Sequence, residues 1–102
     1  DEGGWGFAYS SSKAALIRMI YSIRVENRDC NIRAFNIEPG FVITEVMKAS
    51  GLDKIIQERV KPTPVSTTAK VVLWLSETED ISPVADIEVI NTSVLATELR
   101  LE

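Results

Sequence analysis

The sequence predicts an α/β domain, and three observations carry that reading. Apolar residues recur at helical spacing over residues 9–28, a strand-like run at 32–37 stops at Glu38-Pro39-Gly40, and a second helical pattern at 67–76 precedes an alternating run at 86–90. Helix, strand, short helix, helix, strand is an α/β order, and strand–helix–strand connections of this kind pair in parallel with a right-handed crossover.

In the first helix, Leu16, Met19, Ile20 and Ile23 fall at spacings of three and four on one face. Ser10, Ser11 and Ser12 crowd its first turn, where side-chain oxygens can satisfy free backbone amides. Ala14, Ile17 and Tyr21 form a second apolar stripe, so this helix is expected to pack against more than one neighbour. Asn27, Asp29 and Asn31 mark a turn around Cys30, and the run from Ile32 to Ile37 then alternates as a strand should. Residues 41–60 are less patterned: Val42 and Val46 fit a loop, and 52–59 read as a short helix after Gly51. Lys61-Pro62-Thr63-Pro64 is an extended break, because each proline biases its predecessor away from helix. Ser66 is the expected N-cap of the helix at 67–76, which carries Ala69, Val72, Leu73 and Leu75. Pro83 precedes the second strand, Asp86-Ile87-Glu88-Val89-Ile90, and residues 91–102 read as a tail. Two strands do not make a sheet that buries itself, and an inner parallel strand expects neighbours on both edges. Either a second copy supplies the rest, or the sequence is half of a larger domain.

With 102 residues, 45% of them hydrophobic and 25% charged, the chain is one globular domain or part of one. Eleven basic against fifteen acidic residues, a net charge of -4, leave no basic stripe for a nucleic-acid backbone. Apolar runs fall short of the roughly 18–20 residues that span a bilayer, and Asp1-Glu2-Gly3-Gly4 is no signal peptide. The single cysteine, Cys30, cannot form an internal disulfide, which favours a reducing, cytoplasmic setting. The absence of histidine removes the usual zinc constellations, so no metal is expected, and it excludes Ser-His-Asp and Cys-His chemistry carried by this chain alone.

Acid/base work therefore falls to other residues. Tyr9 and Lys13 lie one helical turn apart at a helix start, and an ammonium together with a helix N-terminus stabilises a phenolate, which suits the pair to general acid/base chemistry. The same pair also reads as an aromatic beside a solvated lysine. Pro39 and Gly40 follow a strand, where ligands gather in open α/β sheets, and Thr44 adds a hydroxyl nearby. An ordinary strand-ending turn has the same composition.

Taken together and in order, the motifs resemble one family. Tyr9-Ser10-Ser11-Ser12-Lys13-Ala14-Ala15-Leu16 resembles the Tyr-x-x-x-Lys helix start of the short-chain dehydrogenase/reductase family. Asn31-Ile32-Arg33-Ala34-Phe35-Asn36-Ile37-Glu38-Pro39-Gly40-Phe41-Val42-Ile43-Thr44 resembles its next strand and Pro-Gly-x-x-x-Thr loop. Residues 62–76 and 86–90 resemble its later helix and final strand, so the likeness covers residues 4–90.

The resemblance implies the C-terminal part of a Rossmann-like parallel-sheet fold, without the N-terminal nucleotide-binding half. It implies NAD or NADP as cofactor and a carbonyl or alcohol substrate. Tyr9 would exchange the proton, and Lys13 would assist it and bind the nicotinamide ribose. Pro39, Gly40, Val42 and Thr44 would line the nicotinamide, largely through backbone groups. Residues 41–64 correspond to a substrate lid, which makes Met47, Leu52 and Ile56 candidates for substrate contact. Family members use the first helix in a dimer interface, so a homo-oligomer is expected. The family's glycine-rich phosphate turn, ribose selector and catalytic serine precede the tyrosine and do not occur here, and Gly3-Gly4-Trp5-Gly6 does not follow a strand. These residues alone are therefore expected to be inactive. The competing reading is a non-catalytic, truncated folding or interaction module. A flavodoxin-like regulator would need a phosphate loop or an acidic cluster at strand ends, and neither is visible.

Overall fold

In the computed structural model, which describes residues 6–51, 54, 55, 58 and 61–101, the chain divides into two units, Asp1–Asn36 and Ile37–Glu102. The first unit is built on one helix, α1 (Gly6–Glu26), followed by an extended segment. It starts earlier than expected, at a glycine with φ of 71°. The serines of its first turns do not cap amides: Ser11 donates to the Phe7 carbonyl at 2.7 Å and Ser12 to the Tyr9 carbonyl at 2.9 Å, the back-bonding open to a helical hydroxyl. Nor are both apolar stripes covered. Ile20 is buried and Ile17, Tyr21 and Ile23 are half-buried, whereas Leu16, Met19 and Ala14 stay exposed.

The strand expected at residues 32–37 does not form before Ile37, and the hydrogen bonding gives the reason. Arg24 donates from Nε to the Ala34 carbonyl at 2.9 Å and from Nη2 to the same oxygen. Asn36 Nδ2 donates to the Ile17 carbonyl at 2.9 Å. The segment is thus tied to α1 by side chains rather than to a ladder. The Arg24 guanidinium also lies 5.8 Å from the Tyr21 ring centre and 5.7 Å from that of Phe35, within cation–π range.

The second unit holds a two-stranded parallel sheet, β1 (Ile37–Glu38) with β2 (Ile90–Asn91), in register Ile37 to Ile90 and Glu38 to Asn91. The alternating run at 86–89 does not pair; it turns out of a 3-10 helix, Ser82–Val84, with Ile87 N–H donating to the Val84 carbonyl at 3.1 Å. Between the strands lie α2 (Glu45–Ser50) and α3 (Val65–Glu77), and α4 (Thr92–Leu99) follows β2 directly. The expected helix at 52–59 falls for the most part outside the described residues, as do Leu52 and Ile56.

The residues that α3 buries are Thr67, Val71 and Leu75, a spacing of four, while Val72 and Leu73 of the expected apolar face remain exposed. Its N-cap is Pro64 rather than Ser66, with no side-chain cap bond. Val84, Ile90, Leu95 and Ala96 complete the buried apolar set among the described residues of this unit. Full burial of a Val, Leu or Ile side chain is worth roughly 1.5–3 kcal/mol. Thr92 is fully buried and hydrogen-bonded on two sides. Its hydroxyl donates to the Glu38 carbonyl at 3.1 Å, so at 3.1 Å from Thr68 Oγ1 it accepts from that hydroxyl. One side chain thereby links β1, α3 and the start of α4. Beyond α3, Ser82 N–H donates to Asp80 Oδ1 at 2.9 Å; that bond and the Ser82 hydroxyl hold the exposed Asp80 carboxyl below its usual range.

Candidate functional site

The expected site residues fall into two sets, one in each unit. In the first, α1 sets Tyr9 and Lys13 four residues apart on one side of its opening turns, as any helix must. The Lys13 ammonium lies 5.6 Å from the centre of the Tyr9 ring, and Tyr9 retains 48% of its surface. Tyrosine and ammonium thus stand together on the helix, whose first turn carries no acidic residue.

In the second set, Pro39 and Gly40 follow β1 directly. Gly40 has φ of 75°, and a Cβ placed on it would stand 2.5 Å from Thr63 Oγ1. Thr63 is itself fixed, its N–H donating to the Phe41 carbonyl at 2.7 Å. The glycine therefore has a steric reason inside the chain, apart from any ligand. Sequence reasoning missed Thr63, although a signal exists: flanked by Pro62 and Pro64, it carries the one N–H of those three residues.

Thr44 is the N-cap of α2, in extended conformation, with its Oγ1 accepting from Met47 N–H at 3.2 Å. That helix was expected to be loop. The cap uses a lone pair of the hydroxyl, which leaves its proton to donate. Val42, half-buried between Gly40 and Thr44, has a main-chain N–H and C=O without hydrogen-bond partners among the described residues. A neighbouring donor and acceptor of this kind match a carboxamide. Met47 is half-buried on α2 and Pro39 is exposed. Among the described residues no group of three His, Cys, Asp or Glu is placed to hold a metal, and no helix is long and apolar enough to cross a membrane.

Compared with known proteins, residues 2–55 match the family model for short chain dehydrogenases, a span that contains Tyr9, Lys13, Pro39, Gly40, Val42 and Thr44. No curated protein and no solved structure matches the chain.

Proposed function

The chain belongs to the short chain dehydrogenase family, and on that premise we propose that it serves NAD(P)-dependent hydride transfer to or from a carbonyl or alcohol carbon, with Tyr9 as acid and base. The observation that carries this reading is the Tyr9 and Lys13 pair at the start of α1, inside the matched span, with the ammonium over the phenol ring. In the direction of reduction the Tyr9 hydroxyl gives its proton to the carbonyl oxygen as the alcohol forms; in oxidation it takes the proton back. Lys13 supplies positive charge beside the phenol and a donor for a ribose hydroxyl.

A nicotinamide cofactor, when bound, supplies or accepts the hydride. The second unit offers groups that fit its carboxamide: the main-chain N–H and C=O of Val42, which have no partner among the described residues, and the Thr44 hydroxyl, whose proton the cap leaves available. Pro39 and Gly40 shape the turn that presents them. The resemblance to the C-terminal part of the Rossmann-like fold belongs to the same proposal. So does self-association through α1, which exposes Phe7, Leu16, Met19 and Val25.

Amide shifts followed by NMR during titration with NADH test the reading. Saturable shifts at Val42 and Thr44 are expected in the millimolar range. They should weaken severalfold in Thr44→Ala, persist in Thr44→Ser, which keeps both cap and donor, and be indifferent to Tyr9→Phe. Shifts that bypass residues 39–44 would overturn the assignment of the nicotinamide to this loop.

A further inference from the structure

We propose that the cleft at the amino end of α3 is a binding site for a phosphate group, distinct from the dehydrogenase residues. The cleft encloses about 570 Å³ within the second unit and lies beyond the residues that the family model matches. That volume suits a small organic phosphate.

Four observations point to an oxyanion. First, α3 runs thirteen residues and begins at Pro64, which brings no side chain to cap the opening amides. Uncapped N–H groups at the positive end of a helix attract negative charge. Second, Lys61 and Lys70 both line the cleft, and neither has an ion-pair partner among the described residues. Third, no carboxylate lines it among the described residues, although acidic residues outnumber basic ones fifteen to eleven in the chain.

The fourth observation is the most specific. Thr67 lines the cleft with only 9% of its surface exposed, and its hydroxyl has no hydrogen-bond partner among the described residues. The backbone N–H of Thr67 is spoken for, donating to the Pro64 carbonyl at 3.1 Å. A buried hydroxyl without a partner costs free energy, and such groups are few in folded proteins. A ligand oxygen would satisfy it. Ser66 adds a second hydroxyl at the same helix end, and Ser93 also lines the cleft, its hydroxyl 3.4 Å from that of Thr63. Two ammonium groups, uncapped amides and several hydroxyls make a donor set richer than a carboxylate can use, and they match the charge and the acceptor oxygens of a phosphate dianion.

The test is a titration of the full chain with sodium phosphate against sodium chloride at matched ionic strength, followed by amide shifts. Phosphate should give saturable shifts at Ser66, Thr67, Thr68 and Ser93 that chloride does not. Replacing Lys61 and Lys70 together by alanine should weaken binding about tenfold, the order expected for lost charge-assisted contacts. Thr67→Val should weaken it about fivefold, one hydrogen bond's worth, and Thr67→Ser should restore it. Because the hydroxyl is unpartnered without ligand, Thr67→Val should leave the melting temperature unchanged or raised, a result that separates ligand binding from a structural role. Titrations with NADP and NAD identify the source of the phosphate: displacement of orthophosphate by NADP alone assigns it to the cofactor's 2′-phosphate, and displacement by neither assigns it to a separate phosphomonoester. Both results uphold the site. Shifts that chloride reproduces, or phosphate affinity indifferent to Thr67→Val and to the double lysine variant, would overturn the proposal. So would a lowered melting temperature in Thr67→Val.

Discussion

At Gly40 two constraints act on one residue, and Gly51 separates them. Both have φ near 75°, at 75° and 76°, where a Cβ is strained, but a Cβ on Gly51 would meet nothing within 4 Å. On Gly40 it would meet Thr63 Oγ1 at 2.5 Å and Thr63 Cβ at 3.3 Å. Thr63 cannot withdraw freely, being held by the Phe41 carbonyl, by the Ser93 hydroxyl and by the two prolines around it. Left-handed backbone costs an ordinary residue about 1–2 kcal/mol, and overpacking adds about 1–3 kcal/mol. Gly51→Ala should therefore lose about 1–2 kcal/mol and Gly40→Ala about 2–5 kcal/mol in urea unfolding. Adding Thr63→Ala to Gly40→Ala should recover part of the difference. Equal losses at the two glycines would mean that Thr63 does not press on Gly40. A glycine after a strand suggests room for a ligand, yet here its own neighbour explains it, so the carboxamide reading rests on Val42 and Thr44 instead.

The elements show what alternation and periodicity can and cannot reveal. The helices α1 and α3 were readable because apolar residues at spacings of three and four dominate them, but which of those residues are buried was not, since a helix face is chosen by its neighbours. The strands were overextended for a related reason. Alternation at 32–37 and 86–90 says which residues could pair, and among the described residues only Ile37, Glu38, Ile90 and Asn91 have a partner strand. Helix α4 is not legible in the sequence, because residues 91–102 carry no strong turn chemistry that marks where a helix begins. The Asn91 side chain accepts from Val94 N–H at 3.1 Å as the N-cap, with Arg100 closing the helix at φ of 55°. In the candidate site, spacing puts Tyr9 and Lys13 on one helix face, and the ammonium lies 5.6 Å from the ring centre, whereas the capping role of Thr44 depends on a helix that the sequence pattern does not reveal. Asn91→Ala should cost about 1 kcal/mol, the usual price of a lost N-cap, and Asn91→Asp should cost much less. Thermal unfolding of the two variants measures the difference. Equal destabilisation by both would remove the cap from the account of why α4 starts where it does.

Across the whole molecule, burial is uneven. The 21 residues of α1 bury one, Ile20, whereas α3 buries three and the eight-residue α4 buries three. Local opening is governed by how much apolar burial must be given up, so the amides of α1 should open with the least free energy. Hydrogen exchange at low protein concentration should show α1 exchanging at least about tenfold faster than the middle of α3. The apolar residues that α1 exposes add a concentration dependence. If a second copy covers Phe7, Leu16, Met19 and Val25, raising the concentration about a hundredfold populates the covered state and slows exchange in α1 by mass action. The same change should leave α3 and α4 nearly untouched, because their buried residues lie within the second unit. Protection of α1 that does not vary with concentration would remove self-association through this helix. Protection equal to that of α3 at the lowest concentration would go further and show that burial within the chain alone already stabilises α1, leaving its exposed apolar residues without a role in assembly.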